Sequence, residues 1–141
     1  TQLAVVDLAK EFRNGKKSFG VVLNTDWSTG GGIHWYCLFG FYDGKQVQLE
    51  YFNSSGKEPL PETQAWLLKT KHYLEKQMKV PVKIHYSTGI VFQNDDHSCG
   101  VYCLMYLWLR LEGISADWFN SENFGDKVMH KARKILFRTE K

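Results

Sequence analysis

Two apolar runs joined by a turn signal constrain the fold of this chain more than any other feature. The first run, IHWYCLFGF at residues 33–41, is apolar almost throughout, as in a strand buried on both faces. Residues 42–45 form a turn signal, and QVQLEYFN at residues 46–53 then alternates polar with apolar side chains. The pattern predicts an antiparallel hairpin in the middle of a sheet.

The remaining apolar patterns predict the elements around this hairpin. Further strands are predicted at residues 18–24, 82–86 and 90–93, and helices at residues 2–12, 62–79, 99–111, 115–120 and 126–137. Helices and strands are intermixed without regular alternation. The predicted class is therefore α+β, with a mainly antiparallel central sheet flanked by helices.

Length and composition fit one folded domain. The 141 residues are 43% hydrophobic and 15% aromatic, which argues against a disordered segment and permits a real core. We therefore predict a single domain over residues 1–141. Because the chain starts at Thr1 rather than at a methionine, we expect it to be an N-terminally trimmed fragment.

The charge pattern and the cysteine count limit the partners and the compartment. The formal net charge of +3 falls well short of that of a typical nucleic-acid binder. Basic residues concentrate at residues 127–141, where a solvated helix face is favoured and a weak DNA contact is the alternative. No apolar run reaches membrane-spanning length, so no membrane is expected. Three cysteines, an odd number, predict a reducing compartment.

The stretch QNDDHSCG at residues 93–100 lies between two apolar runs and indicates a chemical site. Cys99 falls at the first turn of a predicted helix, where unpaired N–H groups favour the thiolate that attacks carbonyl groups. Gly100 behind it leaves room for a substrate to approach closely. Gln93 can donate its side-chain amide to a developing oxyanion, with the backbone N–H of Cys99 as the second donor.

A nucleophilic cysteine also needs an imidazole base, and His34 is the best placed of the five histidines. It begins the apolar central strand, where a polar side chain is costly unless it has a role. Hairpin pairing brings Asn53 to within a few residues of register with His34, so that the amide oxygen can accept the imidazole N–H. His97 is nearer to Cys99 in sequence but has no obvious orienting partner.

A structural zinc site is the competing interpretation of the polar groups His34, Cys37, Cys99 and Cys103. His34 and Cys37 are three positions apart on a strand, so their side chains point to opposite faces. Cys103 lies inside an apolar helical run, which is typical of a small core residue. We therefore expect no metal, and the pattern implies no organic cofactor.

The order and spacing of these residues resemble a known family. The matching positions are His34, Trp35, Asn53, Gln93, Cys99 and Gly100. The pattern is similar to that of the cysteine proteases that process ubiquitin-like modifiers and of the adenovirus-type maturation proteases, in particular the asfarvirus and virophage members. The likeness covers residues 18 to 137 and includes VLNTDWSTGGGIHW and EYFNSSG. It implies a papain-like cysteine protease core.

The resemblance also implies a role for each matching residue. Cys99 is then the nucleophile, His34 the base, Asn53 the orienting residue and Gln93 the oxyanion donor. Trp35 helps to form a narrow groove that admits only small residues, so the family cleaves after Gly-Gly-type sequences. Strand alternation places Trp35 on the face opposite His34, so a local bend is expected if both line one groove.

Three functions are consistent with this sequence. The first is a cysteine endopeptidase that cuts a capsid or core polyprotein during virion maturation, in the cytoplasm of an infected cell and in the virion. The second is a SUMO or ubiquitin-like modifier processing protease or isopeptidase that uses the same residues. The modifier proteases mostly have aspartate at the position of Asn53, which favours the viral branch. The third is a catalytically idle binding module, supported only by the basic C-terminal run.

Overall fold

The computed structural model describes residues 7–24, 34–92, 99–119, 123–126 and 128–130. The helices are α1 (Leu8–Arg13), α2 (Pro61–Met78) and α3 (Cys99–Leu111), followed by a short 3-10 helix at Ala116–Trp118. The strands are β1 (Ser18–Asn24), β2 (Trp35–Tyr42), β3 (Val47–Phe52) and β4 (Val82–Tyr86). The α+β class and the flanking helices are confirmed. Among these residues, no helix is both long enough and apolar enough to span a membrane.

The four strands form one sheet in the order β1-β2-β3-β4. β2 and β3 are joined by only four residues, a connection that antiparallel neighbours can make and parallel strands cannot. In this turn the Asp43 carboxylate accepts the N–H groups of Lys45 and Gln46, both at 2.8 Å. The predicted hairpin is therefore present, with its turn one residue later than predicted.

β3 and β4 pair in parallel, which the sequence patterns did not indicate. Val47 lies opposite Val82, and the register continues to Tyr51 opposite Tyr86. A parallel pair needs a long crossover, and α2 supplies it between the two strands. The sheet thus combines the central hairpin with one parallel pair at its edge.

The predicted strand at residues 90–93 is wrong over its described residues 90–92, which are irregular. The backbone N–H of Ile90 donates to the Ser87 carbonyl at 3.3 Å, and that of Phe92 donates to the Ser54 carbonyl at 2.9 Å. The bond from Phe92 to Ser54 holds the segment against the turn that follows β3. Of its three apolar side chains, Phe92 is buried, whereas Ile90 and Val91 are exposed.

By the contacts that residues make, the chain divides into two compact units. The first comprises Thr1–Val21, Leu38–Tyr51 and Pro59–Tyr86, and the second comprises Val22–Cys37, Phe52–Glu58 and Ser87–Lys141. The single domain over residues 1–141 stays a prediction.

In the first unit α1 packs against α2, and α2 packs against β4. The Asp7 carboxylate caps α1 by accepting the Lys10 N–H at 3.2 Å, and it also accepts the Tyr73 hydroxyl of α2 at 2.5 Å. The bonds from Tyr73 and then Lys10 hold the pKa of the Asp7 carboxyl below its usual range. α2 begins with Pro61 and ends where Lys79 adopts a left-handed conformation, two residues before Pro81.

The second unit is built around an aromatic cluster against α3. The stacked pair Phe52 and Tyr106 has ring centroids 4.3 Å apart, and its neighbours are Phe92, Tyr102, Phe119 and Phe124. All six side chains are buried. The Tyr102 hydroxyl lies 2.7 Å from the Phe92 carbonyl oxygen and 2.6 Å from Asp126 Oδ1. The cluster thereby fixes the helix whose first residue is Cys99.

One glycine of β2 is required by close packing in the first unit. A Cβ at Gly40 would lie 2.0 Å from the Phe19 ring, and that ring packs edge-on against Trp66 with centroids 6.3 Å apart. We expect Gly40→Ala to lower the free energy of unfolding by about 1–3 kcal/mol, because Phe19 must move. Urea unfolding of Gly40→Ala, Phe19→Leu and the double variant measures this. A double variant whose loss equals the sum of the single losses would contradict a direct clash.

Candidate active site

Cys99 is the first residue of α3 and is buried, with 5% of its surface exposed. Its sulfur accepts the backbone N–H of Trp35 at 3.4 Å. The helix N-terminus carries a partial positive charge, and the peptide N–H adds a second dipole directed at the sulfur. The sulfur therefore lies where backbone N–H dipoles of α3 and of the start of β2 point toward it.

His34 directly precedes β2, and its side chain meets Asn53, which directly follows β3. His34 Nε2 lies 2.7 Å from Asn53 Oδ1. This contact is the pairing that the hairpin predicted between the two ends of adjacent strands. His34 is partly exposed, whereas Asn53 is buried with 3% exposure.

The surroundings of Asn53 determine which nitrogen of His34 carries the proton. The backbone N–H of Ser55 donates to Asn53 Oδ1 at 2.9 Å, and the Ser55 hydroxyl lies 2.7 Å from the same atom. A backbone N–H can only donate, so the atom that it meets must be the amide oxygen. His34 Nε2 is then the protonated nitrogen, and Nδ1 is the basic one.

The contact between Trp35 and Cys99 also places the sulfur close to His34. The Cα of His34 is two bonds from the Trp35 nitrogen, so the sulfur lies within about 6 Å of that Cα. The structure thus brings together three of the four predicted catalytic side chains, those of Cys99, His34 and Asn53. Gln93 lies outside the described residues, so its role stays a prediction.

Trp35 and Gly100 adjoin each other beside the sulfur. The nearest atom to a Cβ built on Gly100 is Trp35 Cδ1, at 3.9 Å, and Trp35 is 37% exposed. Because β2 begins at Trp35, strand alternation does not govern His34. This explains how Trp35 can lie beside the same cysteine as His34. Substrate binding by Trp35 and Gly100 stays a prediction.

Two serines that the sequence patterns did not single out support Asn53. Ser55 donates to its side chain, and the Ser87 hydroxyl accepts its backbone N–H at 3.1 Å. The signal for Ser55 was the sequence Asn-Ser-Ser-Gly, because an asparagine side chain often accepts the N–H two residues later in a turn. Ser87 is 34 residues away and carried no local signal.

The zinc interpretation gains no support from the described residues. Within the ranges that the structure describes, no group of three or more His, Cys, Asp or Glu side chains could hold a metal ion. Cys37, Cys99 and Cys103 are all buried, and none of the three forms a disulfide bond among the described residues.

Comparisons with known proteins were made for both the sequence and the fold. No family model matches the sequence. Over 121 residues the chain is 40% identical to proteins of African swine fever virus named "SUMO-1 cysteine protease S273R" (isolate Pig/Kenya/KEN-50/1950) and "Cysteine protease S273R" (isolate Tick/Malawi/Lil 20-1/1983). Each match covers 86% of this chain and spans 44% of the relative's length.

Solved structures agree with the sequence matches. A crystal structure of the African swine fever virus pS273R protease superposes with a TM-score of 0.83 and 32% identity, covering 96% of this chain and 54% of that chain. The SUMO protease Ulp1 superposes with a TM-score of 0.50 and 16% identity, covering 92% of this chain and 59% of that chain. The second likeness is one of fold alone.

The fold is therefore the one shared by the S273R protease of African swine fever virus and the SUMO protease Ulp1, as the resemblance implied. Over the part of their length that it matches, the chain is homologous to the S273R cysteine proteases of African swine fever virus.

The turn that holds Asn53 depends on a glycine that packs against the main chain. Gly56 has a φ of +74°, its N–H donates to the Asn53 carbonyl at 2.9 Å, and a Cβ there would lie 2.7 Å from the Ile90 carbonyl oxygen. Gly89 has a similar φ of +87°, but among the described residues no atom beyond its own chain neighbours lies within 4 Å of its Cβ position.

We expect Gly56→Ala to lower the free energy of unfolding by about 2–4 kcal/mol, since left-handed strain and a backbone clash add. Gly89→Ala is the matched control and loses about 1–2 kcal/mol from the strain alone. Urea unfolding of both variants provides the comparison. Equal losses would show that the approach of Gly56 to Ile90 is not a tight contact.

Proposed function

We propose that this chain is the catalytic part of a cysteine protease with Cys99 as its nucleophile. The observation that supports this most directly is the convergence of three separate segments. The sulfur at the tip of α3 accepts the N–H that follows His34, and His34 in turn meets Asn53 at the end of the neighbouring strand. Burial of polar groups costs free energy, so this set of polar groups is not expected here unless it has a function.

The geometry leads to a nucleophilic mechanism. Nδ1 of His34 accepts the Cys99 thiol proton, and the thiolate attacks the carbonyl carbon of the scissile peptide. The amide of Gln93 and the backbone N–H of Cys99 stabilise the oxyanion. The imidazolium, held through Nε2 by Asn53, then gives its proton to the departing amine, and water hydrolyses the thioester.

The proposed substrate is a capsid or core precursor protein of a virus, cut after a Gly-Gly-type sequence. The absence of a side chain at Gly100 and the adjacent Trp35 ring support a narrow approach to the sulfur that suits glycine. Homology to viral proteins supports action in an infected cell, and packaging in the virion belongs to the same proposal. A weak DNA contact through residues 127–141 stays a prediction, because residues 131–141 lie outside the described part of the chain.

The second candidate is processing of a SUMO-like or ubiquitin-like modifier. Two observations favour it: viral relatives carry the name "SUMO-1 cysteine protease", and the fold is shared with the SUMO protease Ulp1. The same side chains would perform both reactions, so only the substrate separates the two candidates. An idle binding module has less support, because the contact of His34 with Asn53 and that of Trp35 with Cys99 are of the kind that a cysteine protease needs.

We expect Cys99→Ala to lose at least about 10³-fold in kcat toward a Gly-Gly-containing precursor, because no other group supplies the nucleophile. Cys103→Ala is the matched control, since Cys103 is a buried cysteine one turn further along α3. This control should keep its turnover. Cleavage followed by gel and mass spectrometry measures both, and residual wild-type activity in Cys99→Ala would remove Cys99 from the mechanism.

Substrate choice can be tested with two matched reporters. One is a viral precursor segment with an internal Gly-Gly sequence, and the other is a SUMO-like modifier whose C-terminal Gly-Gly is joined to a fluorophore. We expect a kcat/KM at least about tenfold higher for the precursor. A Gly-Gly to Ala-Ala version of each reporter is the control. Faster release from the modifier would favour the second candidate.

A further inference from the structure

Three donors converge on a single atom of Asn53. Its Oδ1 lies 2.7 Å from His34 Nε2, 2.9 Å from the Ser55 backbone nitrogen and 2.7 Å from the Ser55 hydroxyl oxygen. An amide oxygen has two lone pairs, so three donors are more than the usual number for this atom. Ser55 supplies two of the three donors, and both of them point to Asn53 Oδ1.

The main chain of Asn53 is held independently of the Ser55 hydroxyl. Its N–H donates to the Ser87 hydroxyl at 3.1 Å, and its carbonyl accepts the Gly56 N–H at 2.9 Å. The side-chain amide turns about a separate torsion, which has broad, roughly two-fold preferences. If the amide turned over, its NH2 would face the Ser55 N–H and the protonated nitrogen of His34, and donors would oppose donors.

We propose that the Ser55 hydroxyl is a positioning group for the His34–Asn53 pair. By donating to Asn53 Oδ1 it holds the amide oxygen toward His34, which keeps the proton on Nε2 and the basic Nδ1 toward Cys99. This inference rests on the proposed function, since it concerns the same site. Ser55 acts only through Asn53, and so it is not a catalytic residue.

Ser55→Ala isolates the hydroxyl from the turn around it. The variant retains the Ser55 N–H bond to Asn53 Oδ1 and the Gly56 N–H bond to the Asn53 carbonyl, because both come from the backbone. Ser115→Ala is the matched control. The Ser115 hydroxyl also takes part in one local bond, accepting the Asp117 N–H at 3.2 Å as the cap of the 3-10 helix.

The kinetic test compares wild type, Ser55→Ala, Ser55→Thr and Ser115→Ala on one cleavable reporter. We expect Ser55→Ala to lower kcat about 3- to 10-fold, the effect of losing one neutral hydrogen bond, while KM stays within about twofold. Ser55→Thr retains a hydroxyl and keeps kcat within about twofold of wild type, as does Ser115→Ala. Unchanged kcat in Ser55→Ala, or an equal loss in Ser55→Thr, would overturn the inference.

A second measurement does not depend on catalysis. The ring nitrogens of ¹⁵N-labelled His34 report the tautomer directly, and the Nε2 proton reports its exchange with water. We expect Ser55→Ala to raise that exchange rate about 3- to 10-fold and to populate the Nδ1–H tautomer, with Ser115→Ala unchanged. Identical ring spectra in Ser55→Ala and wild type would refute the role of Ser55 even in an active protease. A wild-type chain that cleaves neither reporter, with the spectral change present, would refute the proposed function instead.

Discussion

The hydrogen bond between His34 and Asn53 is the interaction on which the arrangement of the site depends. It joins the residue before β2 to the residue after β3, so its length of 2.7 Å requires the hairpin to close in one register. A shift of one residue would turn the side chains of β3 to the opposite face and move Asn53 away from the imidazole. Two hydrogen bonds to the Asp43 carboxylate hold the turn at residues 43–46 in one conformation. Because the turn sets the register of the hairpin, it opposes such a shift. Local turn chemistry thus determines the geometry of a pair at the far end of the hairpin.

The cysteine is positioned by a different kind of interaction. Apolar packing orders α3, because the side chains on its inner face, among them Tyr102 and Tyr106, are buried in the aromatic cluster of the second unit. Burial of several aromatic rings offsets the conformational entropy that is lost when a helix tip is held in one place. Among the residues that the structure describes, the backbone N–H of Trp35 donates to the sulfur and links it to the segment that carries the base. Packing therefore places the nucleophile, while hydrogen bonds orient its partners.

The sequence allowed prediction of those parts of the site that follow from local patterns. Hydrophobic periodicity and a turn signal predicted the hairpin. The hairpin in turn predicted that His34 pairs with Asn53. The start of α3 at Cys99 followed from an apolar run that begins there. The contact of Ser87 with Asn53 and the parallel pairing of β4 could not be predicted from local patterns. Ser87 reaches Asn53 across 34 positions, and the parallel register of β4 is set by the crossover through α2. Residues 90–92 have the composition of a strand, but their backbone donors bind a neighbouring turn, and no local pattern distinguishes the two.

The use of an amide rather than a carboxylate beside His34 has a consequence for the chemistry. Asn53 is 3% exposed, and a carboxylate there would bring a negative charge to a buried position. The donors from Ser55 would satisfy such a charge, so the local geometry suits either group. An amide oxygen orients the imidazole equally well but does not neutralise the imidazolium that forms when His34 accepts a proton. In the proposed mechanism the balancing charge is then the thiolate of Cys99 itself. The imidazolium and the thiolate then balance each other's charge, and their attraction weakens as the distance between them grows.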